Sequence, residues 1–120
     1  MTPITINLEP AVRGDKWQGV AAIGPIIVNG VAPTLPLARI RMQFRKSENP
    51  GMTFDTESGE GVHPIQILNA ATWFAQIPEV QPLPLGAGDW AWDMEFWAEG
   101  DTAPLTFYKG ILRVLLDATR

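Results

Sequence analysis

Trp90-Ala91-Trp92-Asp93-Met94-Glu95-Phe96-Trp97 alternates large apolar residues with small or charged ones until its last position. An extended chain turns successive side chains to opposite faces, so Trp90, Trp92, Met94 and Phe96 share one face. Asp93, Glu95 and Trp97 share the other. A helix would scatter the same residues around its axis. The pattern predicts a half-buried β-strand, with Trp97 the aromatic residue on its polar side.

The same period recurs on both sides of this stretch. From Ala38 to Lys46, Ile40, Met42 and Phe44 alternate with Arg39, Arg41, Gln43 and Arg45, which predicts a strand with a basic outer face. Near the C-terminus, Leu112, Val114 and Leu116 alternate with Arg113 and Asp117, while Ile111 and Leu115 make the second face partly apolar. A strand covered on both faces, or one at a subunit contact, reads this way. Shorter candidates are Ile4 to Leu8, Lys16 to Ile23, Ile26 to Val28, Met52 to Thr56, Ile65 to Leu68, Thr72 to Ile77 and Leu105 to Tyr108. Asn29-Gly30, Asn49-Pro50-Gly51, Ser58-Gly59-Glu60-Gly61 and Glu99-Gly100-Asp101 supply turns between them. Gly110 predicts a bend or bulge before the last strand, and Asn69 is placed to cap one helical turn through Trp73. Prolines 78, 82 and 84 make the segment from Pro78 to Gly88 an extended crossing. About eight or nine short strands separated by turns predict an all-β antiparallel sandwich of immunoglobulin-like layout.

Composition agrees with one such domain over residues 1–120. The chain carries 11 Gly, 11 Pro, no Cys and one His, with a net charge of −4. Many turns and few long helices follow from the Gly and Pro content. Disulfide scaffolds, thiol nucleophiles and zinc fingers are excluded by the missing Cys, and the acidic balance disfavours a nucleic-acid partner. Met1-Thr2-Pro3-Ile4-Thr5 has neither the basic nor the apolar part of a secretory signal. No run of about 18 apolar residues predicts a membrane span.

Candidates for chemistry are few. Asp93 and Glu95 lie about 6.6 Å apart on one strand face, a spacing that a glycosidase can use. The solvated side of an amphipathic strand explains them better. His63 has no orienting partner or companion ligand nearby in sequence, which predicts an exposed loop residue. Glu57 and Glu60 lack the ordered spacing of a calcium loop. Pro33-Thr34-Leu35-Pro36 and Pro82-Leu83-Pro84 read as loop spacers before they read as polyproline ligands. Arg39, Arg41 and Arg45 form a basic face that either pairs across strands with Asp93 and Glu95 or meets a partner. Trp97 is either an interface residue or a platform for a sugar ring. No cofactor or metal is expected.

Taken in order, these pieces have a wider likeness. Gly14-Asp15-Lys16-Trp17 is followed by Leu35-Pro36-Leu37-Ala38-Arg39-Ile40-Arg41-Met42-Gln43-Phe44-Arg45. Then come Gly88-Asp89-Trp90-Ala91-Trp92-Asp93-Met94-Glu95 and Gly110-Ile111-Leu112-Arg113-Val114-Leu115-Leu116-Asp117-Ala118-Thr119-Arg120. This succession resembles small tailed-phage structural proteins, in particular the N-terminal β-sandwich domain of phage baseplate upper proteins. Trp90 and Trp92 stand where that group more often has Tyr, and residues 49–71 match none of its pattern.

The resemblance implies a non-enzymatic virion structural protein, made in the host cytoplasm and acting by protein–protein assembly. A tail, baseplate or fibre-attachment address is the leading expectation. The chain's end at Arg120 favours a stand-alone component over an adaptor followed by a receptor-binding anchor. Partners would be other virion proteins or further copies in a ring or trimer, with no nucleic acid and no membrane. The expected contact residues are Arg39, Arg41, Arg45, Trp97, Arg113 and Arg120. Alternatives are a capsid decoration or head-fibre protein, a carbohydrate-binding module for host recognition, and a small hydrolase using Asp93 and Glu95.

Overall fold

The computed structural model describes residues 4–27, 33–47 and 49–116. Its strands are β1 (Ile4–Thr5), β2 (Ala11–Val12), β3 (Val20–Ile23), β4 (Leu37–Lys46), β5 (Asn49–Asp55), β6 (Val62–Pro64), β7 (Gln66–Asn69), β8 (Phe74–Ile77), β9 (Gly88–Ala98) and β10 (Leu105–Leu115). Among the described residues there is no helix, and so none long and apolar enough to cross a membrane.

The two strongly alternating stretches become neighbours. β4 and β9 pair antiparallel, with Arg41 opposite Glu95 and Met42 opposite Met94. They form the centre of a large sheet ordered β1-β10-β9-β4-β5-β6, with β2 on the same edge of β10 as β1. A second, antiparallel sheet is ordered β3-β8-β7. The core lies between the sheets, giving a sandwich-like arrangement. Ile40, Met42 and Phe44 of β4 and Trp90, Trp92, Met94 and Phe96 of β9 are buried with Ala75 and Ile77 of β8.

Aromatic residues organise this core in two groups. Trp17, Phe44 and Phe54 have ring centroids 5.5 to 6.1 Å apart at one end. Trp73 stacks on Phe96 at 6.1 Å, and Phe107 meets both rings edge-on at the other end. Edge-to-face and offset contacts of this kind add to the stabilisation from area burial.

The proline-rich crossing works as a lid on the first group. Trp17 and Val80 exchange two backbone hydrogen bonds of 2.8 Å, and the Leu83 amide donates to the Asp15 carbonyl at 2.9 Å. Leu83 is buried between exposed Pro82 and Pro84, so this segment is a packed spacer. The other proline pair is also tied into the fold: the Leu35 carbonyl accepts the Trp73 indole N–H at 2.8 Å.

Several sequence expectations change. Three pairings, β1 and β2 with β10 and β6 with β5, are parallel, so the large sheet is mixed. Leu105 to Leu115 is one strand, and its register shift lies between Thr106 and Tyr108. Gly110 instead answers a close approach: a Cβ there would stand 1.7 Å from the Ile6 carbonyl oxygen. Asn49-Pro50-Gly51 belongs to β5, the reversal coming earlier at Ser47, where φ is +56°. Asn69 does cap, accepting from the amides of Ala71 at 3.0 Å and Thr72 at 3.2 Å. What it caps is a turn, ended by Trp73 at φ +57°. The Asn29-Gly30 turn, Val28, Asp117 and Arg120 lie outside the described residues.

Candidate functional site

The outer face of the large sheet gathers most of the residues singled out by sequence. Arg39, Arg41, Gln43 and Arg45 project from β4 on the side away from the core, and β9 brings Trp97, Glu95, Asp93 and Ala91 opposite them in that order. β5 adds Asp55 beside Arg41 and Thr53 beside Gln43. β10 adds Lys109 beside Asp93 and Arg113 beside Asp89. The antiparallel register thus sets cationic and anionic side chains side by side, which stabilises a sheet face.

Arg39 is held on three sides. Its Nε donates to Asp55 Oδ1 at 3.1 Å and its Nη2 to Asp55 Oδ2 at 2.8 Å, a two-pronged pair that matches the planar guanidinium to the carboxylate. Glu57 approaches Nη2 at 3.7 Å. The guanidinium carbon lies 4.5 Å from the centroid of the Trp97 ring, in cation–π geometry. One face of Trp97 is therefore already covered, which leaves less of the ring for a sugar to stack on.

Asp55 is the buried charged residue among those described, 5% exposed. Burial alone pushes its carboxyl pKa up. The Arg39 hydrogen bonds, the Glu57 amide at 3.0 Å and the charges of Arg39 and Arg41 outweigh that, and the net shift is downward. Asp55 was not singled out by sequence. Its signal was a lone carboxylate at the end of a short apolar run, and only the pairing of β5 with β4, which sets it opposite Arg41, brings it within reach of the Arg39 side chain.

Arg41 Nη2 donates to Glu95 Oε1 at 3.1 Å, while Arg41 Nε is buried without an acceptor. Arg45 donates to Gln43 Oε1, and Arg113 Nε to Asp89 Oδ1 at 3.0 Å. The Arg113 pair is well exposed and contributes little to stability. The expected cross-strand pairing thus holds for Glu95. Asp93 forms no ion pair among the described residues and stands between Gln43 and Lys109.

His63 is half-buried in β6, where parallel pairing places it in register with Phe54 at a ring separation of 5.1 Å. The expected exposed loop histidine is instead part of the core's margin. Among the described residues no group of three or more His, Asp or Glu is placed to hold a metal ion.

Exposed large apolar side chains concentrate elsewhere on the same sheet. Ile111 and Leu115 lie on the outer face of β10, and Leu116 follows its end. Ile4 and Ile6 line the adjoining N-terminal arm, and Leu105 opens β10.

The Asp55 pair makes stability depend on pH. Because the folded pKa is depressed, its contribution is fully present above the unfolded value of about 4. It is lost as pH falls through the folded value. Asp55→Asn is expected to cost about 1.5–3 kcal/mol at pH 7, the range for a hydrogen bond to a charged group. It should also flatten the acid limb below about pH 4. Urea unfolding from pH 7 to 2.5 checks both, and parallel acid limbs for the two proteins would refute the assignment.

No protein-family model, curated protein or solved structure matches the chain.

Proposed function

We propose that the chain is a non-enzymatic structural protein of a bacteriophage virion that works by protein–protein assembly, with a tail, baseplate or fibre-attachment address. The sandwich is read as immunoglobulin-like in general layout. The observation that carries the assembly reading is the exposed apolar pair Ile111 and Leu115 on the outer face of β10, extended by exposed Leu116 just past its end. Exposed apolar side chains gathered near a sheet edge are costly to leave in water and mark an interaction surface. The virion address rests on the ordered sequence resemblance, from Gly14-Asp15-Lys16-Trp17 to the segment beginning at Gly110.

In this reading Arg39, Arg41 and Trp97 tie β4 to β5 and β9, because their charges and ring are engaged within the sheet. The contact surface is the outer face of β10, with Ile111 and Leu115 as its apolar centre and Arg45 and Arg113 at its rim. Burying such a centre supplies most of the association energy, and the rim charges govern orientation and partner choice.

Immunogold labelling of virions purified from the source phage tests the address. Label is expected at the tail in a few to a few tens of copies per particle. Hundreds of copies over the head would favour the capsid-decoration alternative, and absence from particles would refute both. The variant I111E/L115E tests the surface: it should keep wild-type circular dichroism and fail to enter particles. Normal incorporation would remove the β10 face from the interface.

A further inference from the structure

On the outer face of the large sheet, Asp89, Ala91 and Asp93 of β9 are exposed, and so are Lys109, Ile111 and Arg113 of β10. The antiparallel register sets them in three facing pairs: Lys109 with Asp93, Ile111 with Ala91 and Arg113 with Asp89. One strand thus carries a cation, a large apolar residue and a cation. The other carries an anion, a small residue and an anion in the same three rows. Toward β4 and β5, by contrast, Arg39, Arg41 and Trp97 are engaged within the sheet.

Two features of the β9–β10 rows have no counterpart within the chain. Asp93 and Lys109 stand opposite each other, yet neither forms an ion pair among the described residues. Ile111 is 40% exposed, and beside it a groove of about 500 Å³ runs over Ala91, between Ile111 on β10 and Arg45 on β4. An apolar knob next to an apolar hole, flanked by opposite charges, is a self-complementary pattern. An interface between two identical chains related by a two-fold axis requires such a pattern.

We propose that the partner of this face is a second copy of the chain, docked face to face about a two-fold axis that runs parallel to the strands between β9 and β10. The inference rests on the reading of the β10 outer face as a contact surface and names what covers it. An axis in that position exchanges the two strands, so each residue of β10 lies over its own register partner in the second copy. Ile111 enters the groove over Ala91, Lys109 meets Asp93 and Arg113 meets Asp89, and every contact occurs twice. Sheets packed face to face lie about 10 Å apart, a gap that a lysine and an aspartate side chain span together. Other two-fold arrangements fail on charge. An axis across the strands at Ile111 would set Lys109 over Arg113 and Asp93 over Asp89, and an axis along β10 would set Lys109 over Lys109. Like charges brought together at an interface oppose binding.

Sedimentation equilibrium of the full-length protein tests this. The wild type should dimerise at micromolar concentrations. Asp93→Lys and Lys109→Asp should each keep the wild-type circular dichroism, since both positions are exposed. Each should weaken dimerisation by about tenfold or more, because each creates two like-charge contacts across the axis. Mixed in equal amounts, the two variants should form a heterodimer, since every contact then joins opposite charges again. A role confined to one chain cannot produce that rescue, because mixing leaves each chain's own neighbours unchanged. Ala91→Tyr adds apolar surface but fills the groove, so it too should shift the protein toward monomer. A monomeric wild type, undiminished dimerisation of the variants, or no heterodimer on mixing would overturn the second copy as partner. Virion entry of I111E/L115E reads the underlying surface separately. A monomeric wild type with failed entry would leave the β10 face as a contact for a different protein. A charge-dependent dimer with normal entry would keep the second copy and remove the virion contact.

Discussion

Trp73→Ala is expected to lower the unfolding free energy by about 3–5 kcal/mol, the range for truncating a large buried aromatic residue. Trp73 is 4% exposed, stacks on Phe96, meets Phe107 edge-on and donates its indole N–H to the Leu35 carbonyl. Truncation removes all three contacts, opens a cavity between the sheets and leaves a carbonyl to find water. For a domain of this size the loss is a large part of a total of about 5–15 kcal/mol. Trp73→Phe keeps the stacking and loses the N–H, so it should cost less than half as much.

The backbone sharpens this expectation. Trp73 sits at φ +57°, where a Cβ is disfavoured by about 1–2 kcal/mol and glycine is not. Trp73→Gly is therefore expected to be no worse than Trp73→Ala, against the usual order in which glycine is the more destabilising of the two. Urea denaturation of the three variants measures the series. A Trp73→Gly protein clearly less stable than Trp73→Ala would show that the turn relaxes out of the left-handed region once the indole is gone.

Gly110→Ala should have the next largest effect, about 1–3 kcal/mol, as expected when a methyl is forced into a filled space. The added Cβ would lie 1.7 Å from the Ile6 carbonyl oxygen, 2.6 Å from its carbon and 3.0 Å from Trp92 Nε1. Two of these atoms are backbone, so no rotamer change relieves the contact and the N-terminal arm must lift away. The arm is held to β10 by the Ile6 amide on the Lys109 carbonyl at 2.7 Å and the Leu8 amide on the Ile111 carbonyl at 3.2 Å. Asn7 Oδ1 accepts from the Ile111 amide at 3.3 Å.

Hydrogen exchange at Ile6 and Leu8 reads this directly. Both amides should lose protection in Gly110→Ala while those of β4 and β9 keep theirs. Deleting residues 1–8 in both backgrounds gives a double-mutant cycle. Without the arm, Gly110→Ala should become close to neutral, because glycine in a strand interior is itself unfavourable. An equal penalty with and without the arm would place the clash elsewhere.

Much of this architecture is legible in the chain. The alternation in Trp90 to Trp97 and Ala38 to Lys46 assigns Ile40, Met42, Phe44, Trp90, Trp92, Met94 and Phe96 to the core and Trp97 to the outer face, as they are found. It works because side-chain direction in a strand is local: two residues of rise return the chain to the same face whatever lies nearby. β2 and β6, at two and three residues, are too short to show a period and were not expected. The bare Cα of Gly110 was visible, but not the carbonyl of Ile6, 104 positions earlier, that requires it.

The candidate site divides along the same line. Sequence placed Arg39, Arg41 and Arg45 on one face and offered Asp93 and Glu95 as partners; the register joins Arg41 to Glu95 and leaves Asp93 between Gln43 and Lys109. Asp55, the strongest partner of Arg39, lies 16 residues away on a neighbouring strand. Which carboxylate meets which guanidinium depends on how strands slide past one another, and that is settled by packing on the opposite face.

By itself, then, the sequence determined that this protein is all-β, where most strands lie and which face of the two central ones is apolar. The tertiary structure alone decided the order β1-β10-β9-β4-β5-β6, the parallel pairing of the short strands, the lid made by the proline-rich crossing and the register that sets Ile111 beside Ala91 and Lys109 beside Asp93. Periodicity follows from the geometry of a single chain, whereas neighbour choice follows from the burial that distant segments achieve together.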